Sequence, residues 1–233
     1  MSEQFTRSAR LLGIVSATII VLLGLAYGVT LALGFLSLES PAQPIGNPFF
    51  AILEALILAL APAMVALMVA VHAWAPAQAK TLSLTAVCFM VMVASVTCSV
   101  HFVILTLSRQ PSFLNQPSLD LFFAFKWPSV VYALDILAWD LFFALSMLFA
   151  AAVFRGAGLN AAIRVGMITS AAFALAGLGG VVLGDMRVRN IGIAGYLGAF
   201  LVVDALLVFL FLRTKPLPAL GDKAIVSSER LAS

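Results

Sequence analysis

The sequence predicts an all-α fold: a polytopic membrane bundle of six transmembrane helices with both termini on the cytoplasmic side. Three observations predict it. Apolar residues make up 63% of the 233-residue chain and charged residues 10%, against about 25% charged in a soluble domain, so a water-facing surface cannot be built from this inventory. Apolar runs repeatedly exceed the ~20 residues that cross a ~30 Å hydrocarbon core, and mean hydropathy is +1.13. The runs are continuous rather than alternating in the ~10-residue segments of a transmembrane β-barrel. Backbone groups in hydrocarbon must be satisfied within the segment, so these runs are read as helices.

Taken in order, the first span covers residues 11–36, behind Arg7 and Arg10. Its apolar stretch is far longer than the core of a signal peptide and no small-residue cleavage site follows promptly, so it is expected to be an anchor. A Pro- and Gly-containing loop leads to the second span, 48–74, which contains Pro62; the third is 81–107. The connection 108–127 carries Pro111, Pro117 and the aromatics Phe122, Phe123, Phe125 and Trp127. Aromatics gather at the membrane–water boundary, so this segment is expected on or in the interface. The fourth, fifth and sixth spans are 128–154, 161–184 and 191–212. Residues 1–215 form a single domain, and 216–233 are expected to be a polar, disordered cytoplasmic tail.

Lys and Arg in short loops set orientation. Six spans put Arg7, Arg10, Lys80, Arg155, Arg164, Arg213, Lys215, Lys223 and Arg230 on one side and Arg109, Lys126, Arg187 and Arg189 on the other, nine against four. The expected location is therefore a cell membrane of bacterial inner-membrane type, with the larger set cytoplasmic. The net charge of +3 is spread over these loops and tails, so the lipid bilayer and not nucleic acid is the expected partner. Ala172, Ala176, Gly180 and Gly184 form a small-xxx-small row on the fifth span, a helix-packing face and a candidate surface for a homo-oligomer. Thr81, Cys88, Ser95, Ser99 and Thr106 form a second such row on the third. Cys88 and Cys98 lie about 15 Å apart along one helix, too far for a disulfide, which needs Cα atoms within ~7 Å.

Four carboxylates fall inside predicted spans: Glu54, Asp135, Asp140 and Asp204. Each intramembrane acid costs on the order of 2.5–3.5 kcal/mol on insertion scales. No Lys or Arg lies deep in any predicted span. The acids are then expected to be protonated, hydrogen-bonded, hydrated, or paired with something outside the chain. Glu54, Asp135 and His101 share a depth of roughly 10 Å below the outer surface at ~1.5 Å per residue, with Tyr27 and Thr30 at a similar height. Asp140 and Asp204 lie deeper. Tyr132, Asp135, Trp139 and Ser146 form one stripe on the fourth span. Asp140 is rotated about 140° from Asp135 at α-helical pitch, so the two acids border a wide cavity without meeting at one atom. The expected pocket is thus lined by Glu54, His101, Asp135, Asp140, Asp204, Tyr132, Trp139 and Tyr27.

His72 and His101 lie near opposite membrane faces, about 20 Å or more apart, which excludes a bis-histidine haem within one chain. His72, beside Trp74, is read as an interfacial anchor. A catalytic zinc commonly takes three ligands; His101, Glu54 and Asp135 are the one set that could offer them, and no metal or other cofactor is expected. Nor is there a Walker loop, dinucleotide fingerprint, nucleophile elbow, HExxH, paired-cysteine motif or Schiff-base lysine in the last span. Three functions compete: binding or transport of a proton, cation or lipophilic small molecule in an outer-half acidic pocket; an intramembrane acid–base enzyme acting on a lipid or isoprenoid; and a structural or regulatory membrane subunit.

Overall fold

The structure, a computed structural model, describes residues 5–40, 43, 45–107, 110–114 and 116–216. Arg109, Lys223, Arg230 and the tail from 217 lie outside the described residues. The described chain is helical, without strands, and contains six helices long and apolar enough to cross a membrane. They are α1 (Arg7–Leu36), α2 (Phe49–Trp74), α3 (Lys80–Thr106), α4 (Val130–Ala151), α5 (Leu159–Leu183) and α6 (Met186–Arg213). Five of them start within four residues of the predicted spans. The sixth begins at Met186 rather than 191, and that difference moves Arg189 from a loop into a helix.

The helices run up and down, each packing on the next in sequence, and α6 returns to α1 to close the ring. The start of α1 and the end of α6 therefore meet at one end of the bundle, here the lower end. There the Arg10 guanidinium donates to the carbonyls of Phe211 and Leu212, each at 2.8 Å, and Phe5 stacks on Phe211 at 6.0 Å. Donors on α1 thus meet the carbonyls at the C-terminus of α6, which have no intrahelical partner. Glycines set the approach of these two helices: a Cβ on Gly13 would lie 2.6 Å from the Phe211 ring and one on Gly24 2.8 Å from Leu201. At Gly28, one turn higher, nothing lies within 4 Å. The pair is closed below and splayed above.

Two helices are not regular. Residues Leu137–Phe142 of α4 and Ala194–Ala199 of α6 are π-helical, a rare geometry in which hydrogen bonds run i to i+5 and which is frequent at functional sites. The α6 segment is supported from α5: Ser170 donates to the Gly195 carbonyl at 2.8 Å, and a side chain at Gly195 would lie 2.5 Å from the Ser170 carbonyl. Between α3 and α4 the described chain forms three short turns of helix, Pro111–Leu114, Pro117–Leu119 and Asp120–Phe123, over the upper end.

The polar row on α3 does not pack inside the chain. Thr81, Cys88, Ser95 and Ser99 are exposed. Their helix tolerates this because hydroxyls along it, such as Ser99 onto Ser95 and Thr106 onto Phe102, donate to carbonyls one turn back. On α5 the inward face is Met167, Ser170, Ala171, Ala174, Gly177 and Gly180; of the predicted small-residue row, Ala172 and Ala176 face outward. His72 is half-buried and not a free anchor: its Nδ1 lies 2.8 Å from Ser83 Oγ, and Lys80 donates to its carbonyl at 2.5 Å.

Candidate functional site

Glu54 sits one and a half turns into α2, His101 near the upper end of α3, Asp135 in the second turn of α4, and Arg189 in the first turn of α6. With Asp140 they form one line of ionisable side chains drawn from four helices, all at 5% exposure or less. His101 Nδ1 lies 2.7 Å from Glu54 Oε2, and its Nε2 lies 3.4 Å from Asp135 Oδ1. Arg189 Nη2 donates to Asp135 Oδ2 at 3.3 Å, and its Nε lies 3.4 Å from Asp140 Oδ2. The guanidinium also sits 5.2 Å over the Tyr132 ring, a cation–π contact.

Asp135 and Asp140 therefore do have an arginine partner inside the chain, contrary to the expectation from sequence, whereas Asp204 has none among the described residues. The reason is the connection between α5 and α6. Gly184 takes a left-handed φ of 69° that ends α5, and Asp185 caps the Arg187 amide at 2.8 Å to start α6. The chain turns so tightly that residues 186–189 are already helical. Gly180 is the seat: a Cβ there would run into the backbone of Arg189 and the Asp185 carbonyl. Gly177 faces the Arg189 carbonyl and Asp140 at 3.0 and 3.3 Å, and Gly192 faces Asp140 Oδ1 at 2.7 Å. A Cβ would force a shift at Gly180 and Gly192 and would be tight at Gly177.

The π-helical stretch of α4 corrects the second expectation. Residues five apart diverge by about 140° on an α-helix, but i-to-i+5 hydrogen bonding stacks them. Asp135 and Asp140 consequently face one guanidinium, each on its own nitrogen. Only the Glu54–His101 link is as short as a charge-assisted hydrogen bond of ~2.7–2.9 Å. Arg189 Nε, His101 Nε2 and both Asp140 oxygens have no partner of hydrogen-bond geometry among the described residues.

Two cavities flank the line. One, of about 290 Å³, runs down the splay between α1 and α6 and is walled by Tyr27, His101, Phe125, Tyr132, Asp135, Trp139, Arg189, Tyr196 and, at its deep end, Asp204. The other, of about 530 Å³, lies under the α3–α4 connection and is walled by Glu54, Phe50, Ile104, Phe123 and the exposed pair Asp120 and Lys126, 3.8 Å apart. Tyr27, Leu31 and Phe125 belong to both walls. Phe125 dips from the connection onto His101 and Tyr132, with ring centroids at 5.4 and 5.2 Å. Glu54 thus borders one cavity and Asp135 the other, and His101, on the wall of the first, lies between the two carboxylates.

Of the residues predicted to line a pocket, Tyr27, His101, Tyr132, Asp135, Trp139 and Asp204 wall the first cavity and Glu54 the second. Asp140 is wholly buried behind Arg189, and Asp204 stands apart from the ionic line. Sequence reasoning missed Arg189 as a partner, Tyr196 and the seats at Gly177 and Gly192, and read Gly180 only as part of a helix-packing row. A signal for Arg189 existed: two acids five residues apart without a counter-charge call for a cation, and the outer set held only four. The two His101 ring nitrogens point to opposite carboxylates, so Glu54 and Asp135 do not converge with it on one ion, and no group of three or more ligating residues occurs among the described residues. Compared with protein-family models, curated proteins and solved structures, the chain matches none of them.

Proposed function

We propose that this is a multi-pass membrane protein, both termini cytoplasmic, that binds and moves a lipophilic small molecule in the cavity between α1 and α6, with Glu54, His101 and Asp135 as a proton relay beside it. The observation that carries the reading is the position of His101 between a carboxylate that borders one cavity and a carboxylate that borders the other. Imidazole accepts a proton at one nitrogen and releases one from the other, which is the chemistry of a shuttle. Three carboxylates against Arg189 and His101 leave the set one positive charge short at full ionisation, so a neutral line holds one further proton to exchange. Orientation follows the charge bias: with Arg189 buried in ion pairs, the loop and tail count becomes nine against three.

The cavity itself is tested through Trp139, a buried residue on its wall. A W74F/W127F protein in lipid nanodiscs keeps Trp139 as its single tryptophan. A nitroxide-labelled long-chain alcohol is expected to quench it saturably, beyond the quenching of a W74F/W139F protein in which Trp127 reports the lipid surface. Quenching that rises linearly and equally in both proteins would contradict a binding cavity.

A second reading has its own support. His101 is a wall residue of the first cavity and is held at Nδ1 by Glu54, the arrangement of a carboxylate-oriented general base. Turnover of polyprenyl epoxides or lipid extracts by purified protein, read by mass spectrometry and lost in H101Q, would favour the enzyme.

A further inference from the structure

We propose that Asp204, with the ring of Phe200 one turn above it, forms a subsite for an organic ammonium group, making the ligand of this cavity a cationic amphiphile. The inference rests on the reading that the cavity binds a lipophilic molecule and adds its charge. Asp204 is 0% exposed, walls the cavity, and has no hydrogen-bond partner on either carboxylate oxygen among the described residues. Such a carboxylate in an apolar surrounding must be matched by a proton or a cation. It stands about 20 Å along α6 from Arg189 at ~1.5 Å rise, out of reach of that charge.

The two ends of the cavity differ in what they lack. At the upper end Asp135 already faces Arg189 and His101, so an added cation would meet an offset charge. At the deep end the acid is alone. A hard divalent cation such as Ca²⁺ takes 6–8 oxygens, and one carboxylate among apolar side chains is a poor match for it. An alkylated ammonium needs no such shell. It takes one counter-charge and aromatic surface, and the cavity wall carries both the Asp204 carboxylate and aromatic side chains. Phe200 lies one turn above Asp204 and Tyr196 two turns above, with the Tyr196 ring 5.1 Å from Trp139.

The test uses the single-Trp139 protein in nanodiscs with two nitroxide probes of equal chain length, an alkyltrimethylammonium and the corresponding alcohol, each referenced to the Trp127 protein. The ammonium is expected to quench Trp139 at a concentration at least about tenfold lower than the alcohol, and D204N to abolish that preference. Equal titrations of the two probes in the parent protein, or a preference that survives D204N, would overturn the subsite and leave the cavity standing. Failure of both probes to quench would overturn the cavity and the subsite with it.

Discussion

The side chain of Arg189 reaches two carboxylates of another helix, and on this contact the ionic line depends. Buried pairs gain little over apolar packing because desolvation offsets their attraction, but removing one partner strands the other and costs ~3–5 kcal/mol. R189Q is therefore expected to destabilise the protein by about that amount, leaving Asp135 and Asp140 without a counter-charge. Adding D140N to R189Q removes one stranded carboxylate and is expected to restore part of the loss, so the two substitutions are non-additive in a double-mutant cycle. Thermal melting in detergent reads both. Additive losses would show that Arg189 and Asp140 do not interact. The acids themselves were legible in the sequence, because a carboxylate in an apolar run is costly wherever it points. Their partner was not, since a positive charge next to a connection reads as a loop residue until the turn before it is known.

At the scale of the element, the π-helical segment of α4 explains how Asp135 and Asp140 come to one face, and it can be tested by shortening the helix. Deleting Leu141 restores α-helical pitch while keeping the acids five residues apart, hence about 140° apart. Deleting Leu137 restores the same pitch but leaves them four apart, about 40° from one another. The Leu141 deletion is expected to be the less stable of the two by on the order of 3 kcal/mol, the cost of an unpaired buried charge. Equal stability would mean that helix geometry does not set the pairing. No residue pattern in 137–142 announced this segment. Periodicity assigns a helix its faces on the assumption of one pitch, and a local change of pitch leaves no mark in composition. The apolar runs, by contrast, located the helices to within a few residues at most ends, because length and hydropathy alone decide what can cross a hydrocarbon layer.

At the scale of the whole molecule, six helices close into a ring whose seam, α1 against α6, is tight at Gly13 and Gly24 and open from Gly28 upward. The cavity follows that seam, and the α3–α4 connection roofs its neighbour with Phe123 and Phe125. The proposed orientation places the α5–α6 turn outside and the α4–α5 turn inside. In a protein whose two native cysteines are replaced by serine, a membrane-impermeant maleimide added to intact cells should therefore label R187C and spare R155C. The reverse pattern would invert the bundle.

The claim on which the functional account rests is that Glu54, His101 and Asp135 pass a proton between the two cavities. Purified protein reconstituted into liposomes with an entrapped pH-sensitive dye tests it, with an imposed proton gradient and the trimethylammonium probe present. The account predicts that the parent protein dissipates the gradient at least about tenfold faster than E54Q or H101Q, while E39Q, altered at an exposed acid in the α1–α2 connection, behaves as the parent. Proton movement in E54Q and H101Q as fast as in the parent would contradict it.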